Sequence, residues 1–388
     1  MKSNTVVVVA LIIVLPTGCM SVPGAETAYD PVADSLRYTG EVHLRNIRQL
    51  TFGGNNAEAY WNGDDDALIF QSDWADINGQ GCDQIFVMNP DGSAFESGEQ
   101  YRLVSTGLGR TTCGYFLPDG RVLYSSTHAA GPACPVPPEG APGRYTWPIH
   151  DTYDIYAANP DGSNLQLLIG GQGYDAEATV SPDGRFVVFT STRSGDLDLW
   201  RYELATGDLL QLTHELGYDG GAFFSGDSEQ IVWRASRPEG EEAAAYAQLL
   251  ARGLIEPSAL QVFVAEADGS SAQQVTDLPG ANWAPFFHPD GERIIFASNH
   301  ESTTGGRPVF SLYMVSIDDG VMTRISHSNT FDAFPMFSHD GAKLVFSSNR
   351  NASRTPPCDT TCDTNVFVAD WIEQPEPVDL SFQGRDSQ

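Results

Sequence analysis

Short β-rich runs of four to six residues recur along the chain, and tight Asp-Gly turns separate them. The clearest stretch is Ser181-Pro-Asp-Gly184, followed by Phe186-Val-Val-Phe-Thr-Ser191, then Asp198-Leu-Trp-Arg-Tyr-Glu203, Thr206-Gly207 and Leu209-Leu-Gln-Leu-Thr213. Glycine supplies the positive φ of such turns, and β-branched and aromatic residues favour the strands between them. The same phrase returns as Pro118-Asp119-Gly120 before Val122, Pro289-Asp290-Gly291 before Ile294, and His339-Asp340-Gly341 before Leu344. Degenerate copies are Asn62-Gly-Asp-Asp65 before Leu68 and Gly226-Asp227-Ser228 before Ile231. The turn aspartates fall at 65, 119, 183, 227, 290 and 340. Five of the six units carry a second turn of their own, as at Pro90-Asp-Gly92 and Pro160-Asp-Gly162.

Four short strands per unit, repeated six times, predict an all-β fold, a six-bladed β-propeller. The sixth unit lacks an outer strand after Val366–Asp370, while His43–Thr51 reads as a lone strand ahead of the first. Placing that N-terminal strand outermost in the last blade closes the ring and removes an open sheet edge. The insertion after Arg237 opens with Pro238, Glu239, Glu241 and Glu242 and ends at Gly253, which predicts a short helix in the fourth blade. The expected organisation is a signal segment over 1–19, a linker over 20–40, the propeller over 41–375 and a flexible tail over 376–388.

The Ser-Pro-Asp-Gly…Phe-x-Ser-x-Arg…Leu-Thr phrase resembles the PD40 (WD40-like) repeat of the TolB-type propellers, and the third copy matches it throughout. That resemblance covers most of the chain and implies the propeller fold with a binding role. The resemblance extends to the propeller alone: the α/β domain that TolB-type proteins carry ahead of it is not expected between Cys19 and His43, nor a hydrolase domain after Trp371.

Charge narrows the partners. With 21 basic and 51 acidic residues the formal charge is −30, which argues against nucleic acid, whose phosphates require clustered Lys and Arg. Lys2 and Lys343 are the only lysines, so a lysine-based mechanism is nearly excluded. Met1-Lys-Ser-Asn4, an apolar run from Val6 to Leu15 and Pro16-Thr-Gly-Cys19 read as an export signal. Its ending resembles a lipobox with Cys19 as the lipid acceptor. The run is too short to span a bilayer, so the expected location is the periplasmic face of the outer membrane, the periplasm or the cell surface, with the lipid as sole membrane attachment. Export permits disulfides. Cys358 and Cys362 are spaced to clip one loop, Cys113 has Cys82 or Cys134 as its options, and the odd count leaves one thiol over.

The long insertions, 72–83, 128–153, 237–260, 300–309 and 350–364, all fall on the face opposite the Asp-Gly turns, where a rigid scaffold usually places function. Aligning the copies puts Asn56, Thr111, Asp175, Asp219, Asn282 and Asp332 in one polar ring at the channel mouth, with Arg110 beside it. Two residues further in, the same register holds Glu58, Cys113, Glu177, Gly221, Ala284 and Phe334. Such oxygens suit calcium or another hard cation, or a cationic peptide terminus, although no cofactor is required. A further ring, Trp74, His128, Arg193, Arg237, His300 and Arg350, follows the second strands. There the arginines are expected to pair with acidic neighbours, and His128, His150 and His300 are candidate metal ligands. No nucleophile elbow, His-Glu-x-x-His motif or phosphate loop is present, and no residue is singled out as catalytic. The expected function is a monomeric, non-catalytic envelope scaffold that binds a protein or peptide. The alternatives are a metal-dependent propeller lyase or hydrolase acting on polysaccharide, and a cation or ligand sensor.

Overall fold

A computed structural model describes residues 33–141, 143–302, 309–350 and 363–374. The expected signal segment with Cys19, the C-terminal tail, and Cys358 with Cys362 lie outside them. The described chain forms six four-stranded antiparallel sheets, each consecutive in sequence except the last. In that sheet Asp332–Phe337, Lys343–Ser348 and Asn365–Trp371 are joined on the outside by Leu44–Gln49. Leu44 pairs with Trp371 and Gln49 with Phe367, so the ring closes by the N-terminal strand. Leu44 and Ile47 are fully buried there, which ties closure to core formation.

Each turn explains its own motif. Ser181 Oγ donates to Asp183 Oδ1, which also accepts the Arg185 N–H, and Gly184 follows at φ +72°. Ser225 with Asp227 and Ser338 with Asp340 repeat the same contact. The carboxylate thus fixes the turn that joins the two inner strands. Between blades the core is layered mainly from these inner strands, with Trp61, Phe70, Phe296 and Phe346 all but fully buried, and Phe367 of the third strand of the last blade joins them.

Three features position the site. The helix forms as expected, over Gly240–Leu250, with Leu249 buried. The insertion that carries it runs on to Leu254–Ile255, which pairs with Trp147–Pro148 from the second blade. A disulfide between Cys82 and Cys134 anchors that second-blade insertion to the first blade.

Candidate binding site on the long-loop face

The expected mouth ring is present but turned inward. Asn56, Thr111, Asp219, Asn282 and Asp332 have no exposure, and Asp175 has 1%. Asp175 Oδ1 accepts Ser191 Oγ at 2.6 Å and Arg193 Nη2 at 2.7 Å. Asp219 accepts Arg237 at 2.7 and 3.1 Å and the Trp233 indole at 2.6 Å. Asp332 accepts Ser348, Ser328 and Arg350, while Asn282 takes Ser298. Asn56 donates to the Gly53 carbonyl, and the Thr111 hydroxyl to that of Asp83. The first inner-strand residue and the arginine ring therefore tie strand ends together, the arginines within a blade and Asn56, Thr111 and Asn282 also to the preceding blade, which corrects the picture of an open oxygen-lined mouth. Arg110 is drawn into an ion pair with Asp83 at 2.7 Å.

The side chains that do reach the axis come from the next register. Glu58, Cys113, Glu177, Gly221, Ala284 and Phe334 all have φ between +49° and +59°. In every blade the inner strand holds one extra residue here, for example where Ala57 pairs with Gln71 but Tyr60 pairs with Ile69. Six aligned β-bulges re-aim one residue per blade. Two residues further on, Tyr60 and Phe223 from opposite blades meet at 5.3 Å between ring centroids. Tyr115 and Phe286 complete this aromatic plug, which closes the channel toward the turn face.

Above the plug lies a polar cluster around Arg234. Gly221 is required for it, because a Cβ there would stand 2.1 Å from Arg234 Nη1. The guanidinium donates to Tyr218 Oη at 2.7 Å and to Glu177 Oε2 at 3.2 Å. Glu177 also accepts the hydroxyls of Tyr174, Tyr218 and Thr190. Glu58 takes a hydrogen bond from the Cys113 thiol, and its Oε2 has no partner among the described residues. Burial pushes the Glu58 carboxyl up to about 7, outweighing Cys113 and the Arg234 charge. Burial likewise drives the Cys113 thiol well above its usual range. Cys113 is the free cysteine among the described residues, so of its two possible partners Cys82 and Cys134 bond each other instead.

Glu58 has a pH signature. Its folded-state pKa is raised, so the native chain holds this proton more tightly than the unfolded one, and stability falls as pH rises from about 4.5 to about 7. Glu58→Gln is expected to stabilise the protein by about 1–3 kcal/mol at pH 8 and to leave it nearly unchanged at pH 4.5. Urea melts at the two pH values check this.

The loop face carries a cap and a groove. Trp147 lies 5.4 Å from Trp283, and the Arg234 guanidinium sits 5.8 Å from each of these two rings. The short Trp147–Pro148 and Leu254–Ile255 pair thus roofs the polar cluster. Outside it a groove of about 730 Å³ runs between the second-blade insertion, the helix and the third blade. Its walls include Val136 at 90% exposure, Leu216 at 48%, Ile149 and Leu250, with Asp151 and Asp196 among its polar groups. Tyr174 joins the two spaces, since it lines the groove and bonds Glu177 below it.

The three histidines do not assemble. His128 bonds Ser126 and packs 4.4 Å from Tyr156. His300 bonds Ser298 and packs 4.6 Å from Tyr313, in the equivalent place of the fifth blade. Each stands where other blades use arginine, and burial lowers both below the usual imidazole value. His150 lies apart, in the groove wall. Among the described residues no three His, Cys, Asp or Glu side chains are grouped to hold a metal.

Comparison with known proteins follows the architecture. The family model for the TolB beta propeller domain matches residues 244–355. The Tol-Pal system protein TolB of Wolinella succinogenes is 26% identical over 209 residues, covering 52% of this chain and 44% of that protein. Its counterpart from Francisella tularensis subsp. holarctica (strain OSU18) is 26% identical over 225 residues, 50% of this chain and 51% of the relative. The chain is a six-bladed β-propeller that resembles the TolB propellers. It spans about half the length of the curated relatives it matches. A solved structure assigned as TolB from Agrobacterium tumefaciens superposes with a TM-score of 0.51 at 17% identity, over 84% of this chain and 96% of that one, and shares the fold.

Within this propeller, Arg234, Trp147, Trp283 and Tyr218 are the site residues that motif reading passes over. Arg234 sits mid-strand with nothing local to mark it. Its one sequence signal is Gly220-Gly221 on the neighbouring inner strand, where Gly220 is its register partner.

Proposed function

We propose that the chain is a non-catalytic binding protein of the cell envelope whose long-loop face engages a protein or peptide partner. The observation that carries this reading is the groove beside the capped channel, with Val136 and Leu216 exposed in its walls. Exposed apolar side chains concentrated in a concave, rigidly framed site favour macromolecular contact. The similarity to Tol-Pal system proteins TolB supports an envelope setting. No helix among the described residues is long and apolar enough to cross a membrane. A net charge of −30 favours a partner segment that is basic as well as apolar.

The test is a pair of charge insertions in the groove. Val136→Arg with Leu216→Arg touches exposed positions, so the melting temperature is expected to stay within about 2 °C of the parent. Recovery of the partner from crosslinked envelope extract, quantified by mass spectrometry, is expected to drop about tenfold or more. Undiminished recovery by a folded double variant would place the partner elsewhere.

A further inference from the structure

The capped chamber holds polar atoms that the fold leaves unused. Among the described residues, Glu58 Oε2 is buried and has no donor, and the indole Nε1 of Trp283 is buried and has no acceptor. Trp283 itself is only 9% exposed, so this donor is withdrawn from bulk solvent. Arg234 spends Nε and Nη2 on Tyr218 and Glu177, while its Nη1 hydrogen-bonds none of the described side chains. A buried polar group without a partner forfeits its hydration with nothing in return. Chains usually retain such groups where a ligand, ion or water completes them.

The orphan groups have opposite character and a common neighbour. The Arg234 guanidinium lies 5.8 Å from the centre of the Trp283 ring, so the indole with the unused N–H and the cation are neighbours. Glu58 belongs to the first blade and feels Arg234 and Glu177 across the axis. The charges also leave a remainder: Arg234 answers Glu177, Arg110 answers Asp83, and Glu58 has only a thiol. Around them stand the aromatic faces of Trp147, Trp283 and Phe334. Glu58, Cys113 and Phe334 are half-buried although the plug lies beneath them, so space remains above it.

We propose that this chamber binds a small zwitterion of the free amino-acid class, its ammonium on Glu58, its carboxylate on Trp283 Nε1 and Arg234 Nη1, and an apolar side chain against the aromatic wall. The site is separate from the groove, and it stands whether or not the groove takes a partner. An ammonium supplies the missing counter-charge to Glu58, and a carboxylate accepts both unused donors. Either half alone leaves one end of the chamber unsatisfied. The groups facing Glu58 are Tyr60 from its own strand, Cys113 from the second blade, Glu177 from the third, Arg234 from the fourth and Asp83 from the loop beside it. Since Glu58 titrates at about 7 when empty, a cation bound there holds it ionised, and affinity falls as the pH drops below that value.

L-phenylalanine, 2-phenylethylamine and 3-phenylpropionate separate the two ends. Calorimetric titration of the whole chain at pH 8 is expected to give saturable L-phenylalanine binding with Kd below about 1 mM, and each truncated analogue at least about tenfold weaker. Between pH 8 and pH 6 the affinity for L-phenylalanine is expected to fall about tenfold. Glu58→Gln is expected to weaken L-phenylalanine about tenfold while leaving 3-phenylpropionate no weaker, and Trp283→Phe to weaken 3-phenylpropionate while leaving 2-phenylethylamine unchanged. Alkylation of Cys113 by N-ethylmaleimide, followed by peptide mass spectrometry, gives a second readout on the unmutated protein, and bound L-phenylalanine should slow it. No saturable binding up to roughly 10 mM overturns the proposal. So does an analogue that binds as well as the zwitterion, or a lysine pentapeptide, capped at both ends, that binds tighter.

Discussion

Arg350→Met is expected to destabilise the protein by about 3–5 kcal/mol, because it strands two buried carboxylates. The Arg350 side chain is fully buried and reaches Glu41 at 3.0 and 3.2 Å and Asp332 at 3.3 Å. Glu41 stands just ahead of the closing strand and also accepts the backbone N–H groups of Tyr38 and His327. Asp332 opens the inner strand of the sixth blade. The arginine therefore pins the N-terminal segment to the blade it completes, joining residues 309 positions apart. Urea unfolding is the measurement, with a lower midpoint at unchanged slope as the expected form. Adding Glu41→Gln to the variant should restore part of the loss, since one uncompensated charge is removed. A loss below about 1 kcal/mol for Arg350→Met would mean that solvent reaches the pair and that closure rests on strand pairing alone.

Arg234→Met is the second large effect, again about 3–5 kcal/mol at pH 8. Here the loss falls on the chamber, not on the closure. Glu177 keeps its tyrosine and threonine donors but loses its cation, and the Tyr218 hydroxyl loses two donors. Methionine fills much of the space between Trp147 and Trp283, so packing is preserved better than by alanine. Tryptophan emission should shift, because the charge 5.8 Å from both rings is gone. The companion Gly221→Ala acts on the same point from the other side. Its Cβ collides with Arg234, and its φ of +59° is unfavourable for alanine, so it is expected to reproduce the spectral change.

The fold was legible because its signals are local. Each Asp-Gly turn announces itself in four residues, and Ser181, Ser225 and Ser338 show why the phrase is written as it is. The missing outer strand of the last blade could be counted, and Leu44–Gln49 fills it. The register of the inner strands was legible too, yet the face presented by each residue was not. A bulge adds one residue to a strand and re-aims a side chain, which a period of two does not encode. Asp175 and Asp219 were thus expected at an open mouth and are buried, while Glu58 and Glu177 reach the axis. The roof was beyond local reading for another reason. Trp147–Pro148 and Leu254–Ile255 lie in different insertions about a hundred residues apart, and neither reads as a strand by itself. The choice of Cys134 over Cys113 for Cys82 has the same origin, since a bulge carries Cys113 toward the axis.

Site-specific photo-crosslinking in intact cells tests the proposed binding face most directly. A photoreactive residue at 216, in the groove, is compared with one at 209, on the outer strand of the same blade. Leu216 and Leu209 are 48% and 45% exposed, so both probes meet solvent equally and neither should disturb the fold. The expected result is a discrete crosslinked species from position 216, with none from 209. The same species from 209 and none from 216 would contradict engagement by the long-loop face.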